Sequence, residues 1–338
     1  MALYLYLSVT GENRIARYSV DLETGYLQLK ENTALESGPA PLAVDPQQRF
    51  LYAGLRSTRE VLSFEIDQDN GSLRQFASVT IDSDPCCLST DNTGRFLFSA
   101  HYGGGLIGVH PIGQDGAVHG PPVEWRETQQ FAHYTQTDAS NQFVFLPHVS
   151  DSNVIYQFRF DESTGKLTPN DPPTVSQPLG TGPRHYVHHP SLKVVYVDNE
   201  QGCSVTAYHF DSEKGTLAPF QTLSTLPEGW QGENTCAQIH IDPTGRFLYA
   251  SNRGHESIAC YRIDQSTGEL ESVGQAPTEP MPRAFNIDPE GRYLFAGGLE
   301  SDNMASYSIN QETGALDRLE TYNVGKSPMW IHLMHIGS

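Results

Sequence analysis

One unit of roughly 47 residues, read seven times, constrains this chain more than any other feature. Its first mark is a turn followed by a β-branched or aromatic run. Examples are Asp45-Pro-Gln-Gln-Arg49-Phe-Leu-Tyr-Ala, Asp91-Asn-Thr-Gly-Arg95-Phe-Leu-Phe-Ser and Asp242-Pro-Thr-Gly-Arg246-Phe-Leu-Tyr-Ala, with counterparts starting at Asp138, His189 and Asp288. Proline presets φ, glycine accepts φ above zero, and the aspartate accepts hydrogen bonds from the backbone that follows. The second mark is a Gly turn, as in Asp21-Leu-Glu-Thr-Gly25, Asp161-Glu-Ser-Thr-Gly165 and Asp264-Gln-Ser-Thr-Gly268; it occurs seven times, once shortened to Gln114-Asp-Gly116. Two turns per unit with strand chemistry between them predict four antiparallel strands, which at this period is a propeller blade. The chain is therefore expected to be all-β: one seven-bladed β-propeller domain over residues 1–338.

The first mark appears six times and the second seven. The missing copy is expected at the seam. Leu3-Tyr-Leu-Tyr-Leu-Ser8 resembles a second strand without a first, and Pro328-Met-Trp-Ile-His-Leu333 a first strand with nothing after it. Strands from both termini should close the last blade and so remove the open ring's edges.

Forty acidic residues against 21 basic ones give a formal charge of −19. Such a surface repels phosphate backbones and anionic lipid, so neither nucleic acid nor membrane is expected as a partner. Five cysteines lack the spacing of a disulfide framework, and no basic, apolar leader precedes the first strand; a cytoplasmic protein with reduced thiols is expected. A monomer or weak homodimer is expected.

Counting from the turns locates the mouth of the channel. The residues entering the first strands are Ala40, Cys86, His133, Arg184, Ala237, Arg283 and Met329; those leaving the second strands include Arg56, Tyr102, Glu200 and Arg253. His133, Arg184, Glu200, Arg253 and Arg283 thus fall on four adjacent blades, with His185 and Asn252 beside them. Arg184 and Glu200 lie symmetrically about residue 192 and should be cross-strand neighbours. An acidic protein that gathers arginines at one opening is suited to an anion, because the guanidinium fork matches carboxylate and phosphate. His240, Asn286, Gln136 and His332 share a register lower in the channel, where His240 and Asn286 are candidates for substrate contact. His185, His188 and His189 have the residue types of a metal site, but strand alternation parts them, and no metal or other cofactor is expected. Arg49, Arg95, Arg246 and Arg292 recur beside the turns and read as structural. Trp125, Trp230 and Trp330 are candidates for an exposed rim.

Gly182-Pro-Arg-His185, Asn199-Glu200, His240-Ile-Asp-Pro-Thr-Gly-Arg-Phe-Leu-Tyr-Ala-Ser-Asn-Arg253, Pro282-Arg-Ala-Phe-Asn286 and Gly325-Lys-Ser-Pro-Met-Trp330 resemble the propeller-type 6-phosphogluconolactonases and the fungal carboxymuconate lactonising enzyme. The resemblance spans nearly the whole chain. It implies a metal-independent enzyme acting on a small lactone with an anionic group, most simply hydrolysing 6-phosphogluconolactone. It also implies catalytic roles for His133, Arg184, Glu200 and Arg253, and a shared motif at Arg283 and Asn286. Phe131-Ala-His133-Tyr134 departs from the residues that often precede this histidine in the phosphogluconolactonases. Glu200 and His133 both remain open as general base. The alternatives are lactone closure by a cycloisomerase and a non-catalytic binding scaffold.

Overall fold

The computed structural model describes residues 1–337. It contains seven four-stranded antiparallel sheets, each built from strands consecutive in sequence except at the seam. Blades 1 to 6 span Pro39–Thr80, Pro85–Glu127, Gln136–Ser176, Pro183–Ser224, Thr235–Pro277 and Pro282–Asn323. Blade 7 takes its innermost strand from the C-terminus: Pro328–Ile336 pairs with Ala2–Val9, which pairs with Arg14–Val20 and then Leu27–Ala34. Both edges of the seam are thereby paired, as the sequence anticipates. Among the described residues no helix is long and apolar enough to cross a membrane.

The turns form for the reasons read in the sequence. Asp45 Oδ1 accepts the backbone N–H groups of Arg49 and Phe50, both at 2.6 Å. Where blade 4 has His189 instead, its Nδ1 accepts from the N–H groups of Ser191 at 3.1 Å and Leu192 at 2.9 Å. Arg49 and Arg246 lie over the rings of Phe50 and Phe247.

Apolar side chains between neighbouring sheets make the core. Phe98, Val109, Val144, Phe158 and Phe160 fill the space between blades 2 and 3, and each such side chain contributes roughly 1.5–3 kcal/mol by leaving water. A tyrosine on the second strand also ties blades together. Tyr6, Tyr52, Tyr196 and Tyr249 donate to the carbonyls of Gly71, Gly116, Gly268 and Gly314, at 2.6–3.0 Å, each in the Gly turn of the next blade. The remaining second strands carry phenylalanine there (Phe98, Phe145 and Phe295) and rely on packing alone.

One irregularity recurs and sets up the site. Register shifts interrupt the first strand where it enters the channel in blades 1, 2, 4, 5 and 6. In blade 4, Pro183 pairs with Asn199 and the next pair is Tyr186 with Val197. Arg184 and His185 lie in this bulge, so the pairing of Arg184 with Glu200 expected from symmetry about residue 192 does not occur. The backbone N–H of Glu200 bonds to the carbonyl of Gly182 instead, at 2.7 Å. A bulge bends its strand and re-aims side chains, which here turns Arg184 toward Glu200 through its side chain.

Candidate active site

Four arginines meet one carboxylate at the mouth. Arg56, Arg184, Arg253, Arg283 and Glu200, with His133, Tyr102 and Cys86, line an open cavity of about 400 Å³. Arg184 Nε donates to Glu200 Oε2 at 2.7 Å, and its Nη1 donates to the carbonyl of Ala237. Arg253 Nη2 lies 3.3 Å from Glu200 Oε1 and donates to the carbonyl of Cys236 at 2.7 Å. Both carboxylate oxygens of Glu200 are therefore occupied by guanidiniums. Arg56 pairs with Asp84 at 2.7 Å. Arg283 has no carboxylate partner among the described residues; its Nε meets only the Met329 thioether, at 3.1 Å. Burial, then the nearby cations of Arg184, Arg253 and Arg56, push Arg283 down to about 9. Four cations against two carboxylates leave an excess of positive charge in a protein of −19. That imbalance is a demand for an anion.

His133 enters from blade 3. Its Nδ1 lies 3.2 Å from Nε2 of His185, and its Nε2 makes no protein hydrogen bond among the described residues. Burial first, then Arg184, hold His133 well below the ordinary histidine value, and the same two causes act on His185. Both imidazoles are neutral near pH 7. His185 stacks on Tyr134 with ring centroids 4.4 Å apart. Its backbone N–H, freed from the ladder by the bulge, donates to Asp198 Oδ1 at 2.7 Å. Ser251 does the same in blade 5, accepting from the N–H of Gln238 at 3.1 Å. Burial pushes the Asp198 carboxyl up to about 7, against the pull of Arg184.

The family model for the seven-bladed β-propeller lactonases matches residues 5–333. The chain belongs to this lactonase family. A 6-phosphogluconolactonase of Pectobacterium carotovorum is 36% identical over 332 residues, covering 98% of this chain and 85% of that protein. Among solved structures, the Pseudomonas aeruginosa periplasmic gluconolactonase superposes with a TM-score of 0.91 at 25% identity, covering 99% of each chain. A Bacteroides fragilis structure described as a putative 6-phosphogluconolactonase superposes with a TM-score of 0.89 at 25% identity, covering 99% of this chain and 98% of that one.

In this lactonase-family chain, His133, Arg184, Glu200, Arg253 and Arg283 come together at the mouth. His185 lies one layer below, in a throat shared with Gln238 and Trp330. His240 and Asn286 do not reach the mouth; they line a separate cavity at the other end of the channel, beyond that layer. Asn252 lines neither space. Its amide is spent on Thr225, Asn234 and Ser257 behind the strand. Trp330 is inside the channel rather than on the rim, and Trp125 packs between His101 and His110. Among the described residues no group of three or more His, Cys, Asp or Glu side chains is placed to hold a metal. Sequence reasoning gave no role to Gln238 or Asp198. The one signal for Asp198 was an acid within the apolar run Val194-Val-Tyr-Val-Asp198. It also left Arg56 out of the site, although the residue falls in the mouth register.

Proposed function

We propose that the mouth hydrolyses 6-phosphogluconolactone to 6-phosphogluconate. The observation that carries this reading is the surplus of arginines, with Arg283 uncommitted, beside a neutral histidine whose Nε2 has no protein partner. The names of the Pectobacterium and Bacteroides relatives support the choice of a phosphorylated sugar lactone. The substrate's phosphate takes the forked donors of Arg283, with Arg56 beside it. The lactone carbonyl then lies between His133 and Arg184.

His133 is the general base in this scheme, because Glu200 has both oxygens engaged by arginines and serves to orient them. Water attacks the carbonyl carbon while His133 Nε2 takes one of its protons. The resulting oxyanion is met by the unspent N–H groups of Arg184. The ring C–O bond then breaks, His133 returns the proton to the departing ring oxygen, and the new carboxylic acid ionises. A positioned base contributes ~10²–10⁴-fold and one oxyanion donor ~10²–10³-fold. The cysteines, without framework spacing, suit a reducing compartment, and we place the protein in the cytoplasm.

The test follows acid release from 6-phosphogluconolactone and from gluconolactone in a weakly buffered indicator assay. The wild-type protein should accelerate opening of the phosphorylated lactone, and His133→Asn and Arg184→Met should each lose about 10²-fold in kcat. If the wild-type protein leaves the spontaneous rate of both lactones unchanged, the reading fails.

A further inference from the structure

The channel has a second chamber that the lactone chemistry does not use. It lies at the far end of the first strands, next to the aspartate turns, and is an open cavity of about 680 Å³ counting the solvent at its mouth. Its interior space is about 220 Å³, below the ~300–1,000 Å³ of drug-sized sites and suited to a smaller molecule. Trp330 and Gln238 border both this chamber and the throat beneath the arginines, so the layer they share with His185 separates the two.

Its chemistry is the reverse of the mouth's. Among the described residues no Asp, Glu, Lys or Arg lines it. Five of the seven positions at one height of the ring are polar and neutral: Ser89, Gln136, His240, Asn286 and His332. Burial pushes His240 and His332 down to about 4, so both are uncharged at pH 7. Three of these groups, Ser89, His240 and His332, are under-used. Ser89 Oγ is buried with no partner among the described residues. His332 makes no side-chain hydrogen bond among the described residues, and His240 Nε2 has only Gln238 Oε1 at 3.4 Å. Neutral imidazoles, amides and hydroxyls each both donate and accept. That match suits hydroxyl groups and offers a full charge no opposite charge to offset its lost hydration. Tyr134 and Trp330 add an aromatic wall against which the C–H face of a sugar ring can pack.

We propose that this lower chamber is a second binding site, distinct from the catalytic mouth, for a neutral polyhydroxylated molecule of monosaccharide size. Saturation-transfer NMR with methyl β-D-glucopyranoside as the probe tests it. Saturable binding is expected in the wild-type protein and, unchanged, in Arg283→Ala, which removes the mouth's free cation. His332→Leu and Gln136→Leu should weaken it by about tenfold or more while keeping wild-type lactone-opening activity, which shows that the ring is intact. D-glucuronate, the charged counterpart, should bind at least about tenfold more weakly. No saturable binding of the glucoside would overturn the proposal. So would binding lost in Arg283→Ala, binding untouched by the two lower variants, or glucuronate binding as well as the glucoside. None of these outcomes bears on whether the mouth opens a lactone.

Discussion

Replacing Arg283 by methionine should make the protein more stable and at the same time remove its preference for a phosphorylated substrate. In the free protein the guanidinium is a partly buried cation with other cations for neighbours and only the Met329 sulfur on its Nε. Lowering it from 12.5 to about 9 represents, at 1.36 kcal/mol per unit of pKa, roughly 5 kcal/mol against the charge. Solvent in the open cavity screens much of this, leaving about 1–2 kcal/mol. A base held below its unfolded value opposes folding wherever it stays charged, so the gain appears at pH 7. Methionine fills similar space beside Met329, and Tm should rise by about 1–3 °C. The phosphate, by contrast, loses charge-assisted hydrogen bonds of about 1.5–3 kcal/mol each. The value of kcat/KM for 6-phosphogluconolactone should therefore fall by about 10²-fold or more, and that for gluconolactone by less than about fivefold. Calorimetry and parallel initial rates on the two lactones measure both halves. A fall in Tm, or an equal loss on both substrates, refutes the reasoning.

Three other outcomes follow from the same structure. With gluconolactone as substrate, so that no phosphate titrates, the acidic limb of kcat/KM should lie below the ordinary histidine range, because burial and Arg184 keep His133 neutral; a limb centred at 6.5 or above contradicts this. Stability should decline as pH falls below 6.5. Nine histidines (His101, His110, His133, His148, His185, His188, His189, His240 and His332) are held below 6.5 in the fold, so the unfolded chain binds their protons first. The raised carboxyls of Asp198, at about 7, and of Asp288 work in the opposite direction but are fewer; denaturant melts showing undiminished stability at pH 5 would refute the balance. Truncation after Ser327 removes the inner strand of blade 7 and bares the edge of Ala2–Val9. The product should aggregate on size-exclusion chromatography, and a monomer with the parent Tm would be the contrary result.

The architecture was legible because each blade repeats its turn chemistry, and turn chemistry acts through the few residues that carry it. Even the exception at His189 keeps the acceptor role, with a ring nitrogen in place of a carboxylate. Height along the channel was legible too, since a fixed count from each turn placed His133, Arg184 and Arg283 at the same end. The bulges were not legible. They depend on local backbone choices, such as the positive φ at Gly182 and Met281, each two residues before a mouth position on a bulged strand. At Gly182 a Cβ would meet the amide end of Gln201, so a larger residue there requires that side chain to move. The partition within the channel was hidden for another reason. Register says how deep His240 lies, but only packing shows that His185, Gln238 and Trp330 stand between it and the arginines. Asn252 shows the same limit, because its neighbours Thr225 and Asn234 come from a loop whose path no repeat dictates.

A crystal structure of the protein with 6-phosphogluconate bound is the most direct test. The account predicts phosphate oxygens within about 3.2 Å of Arg283 and the product carboxylate between Arg184 and His133 Nε2. A product molecule seated elsewhere, with Arg283 still facing only Met329, would contradict it.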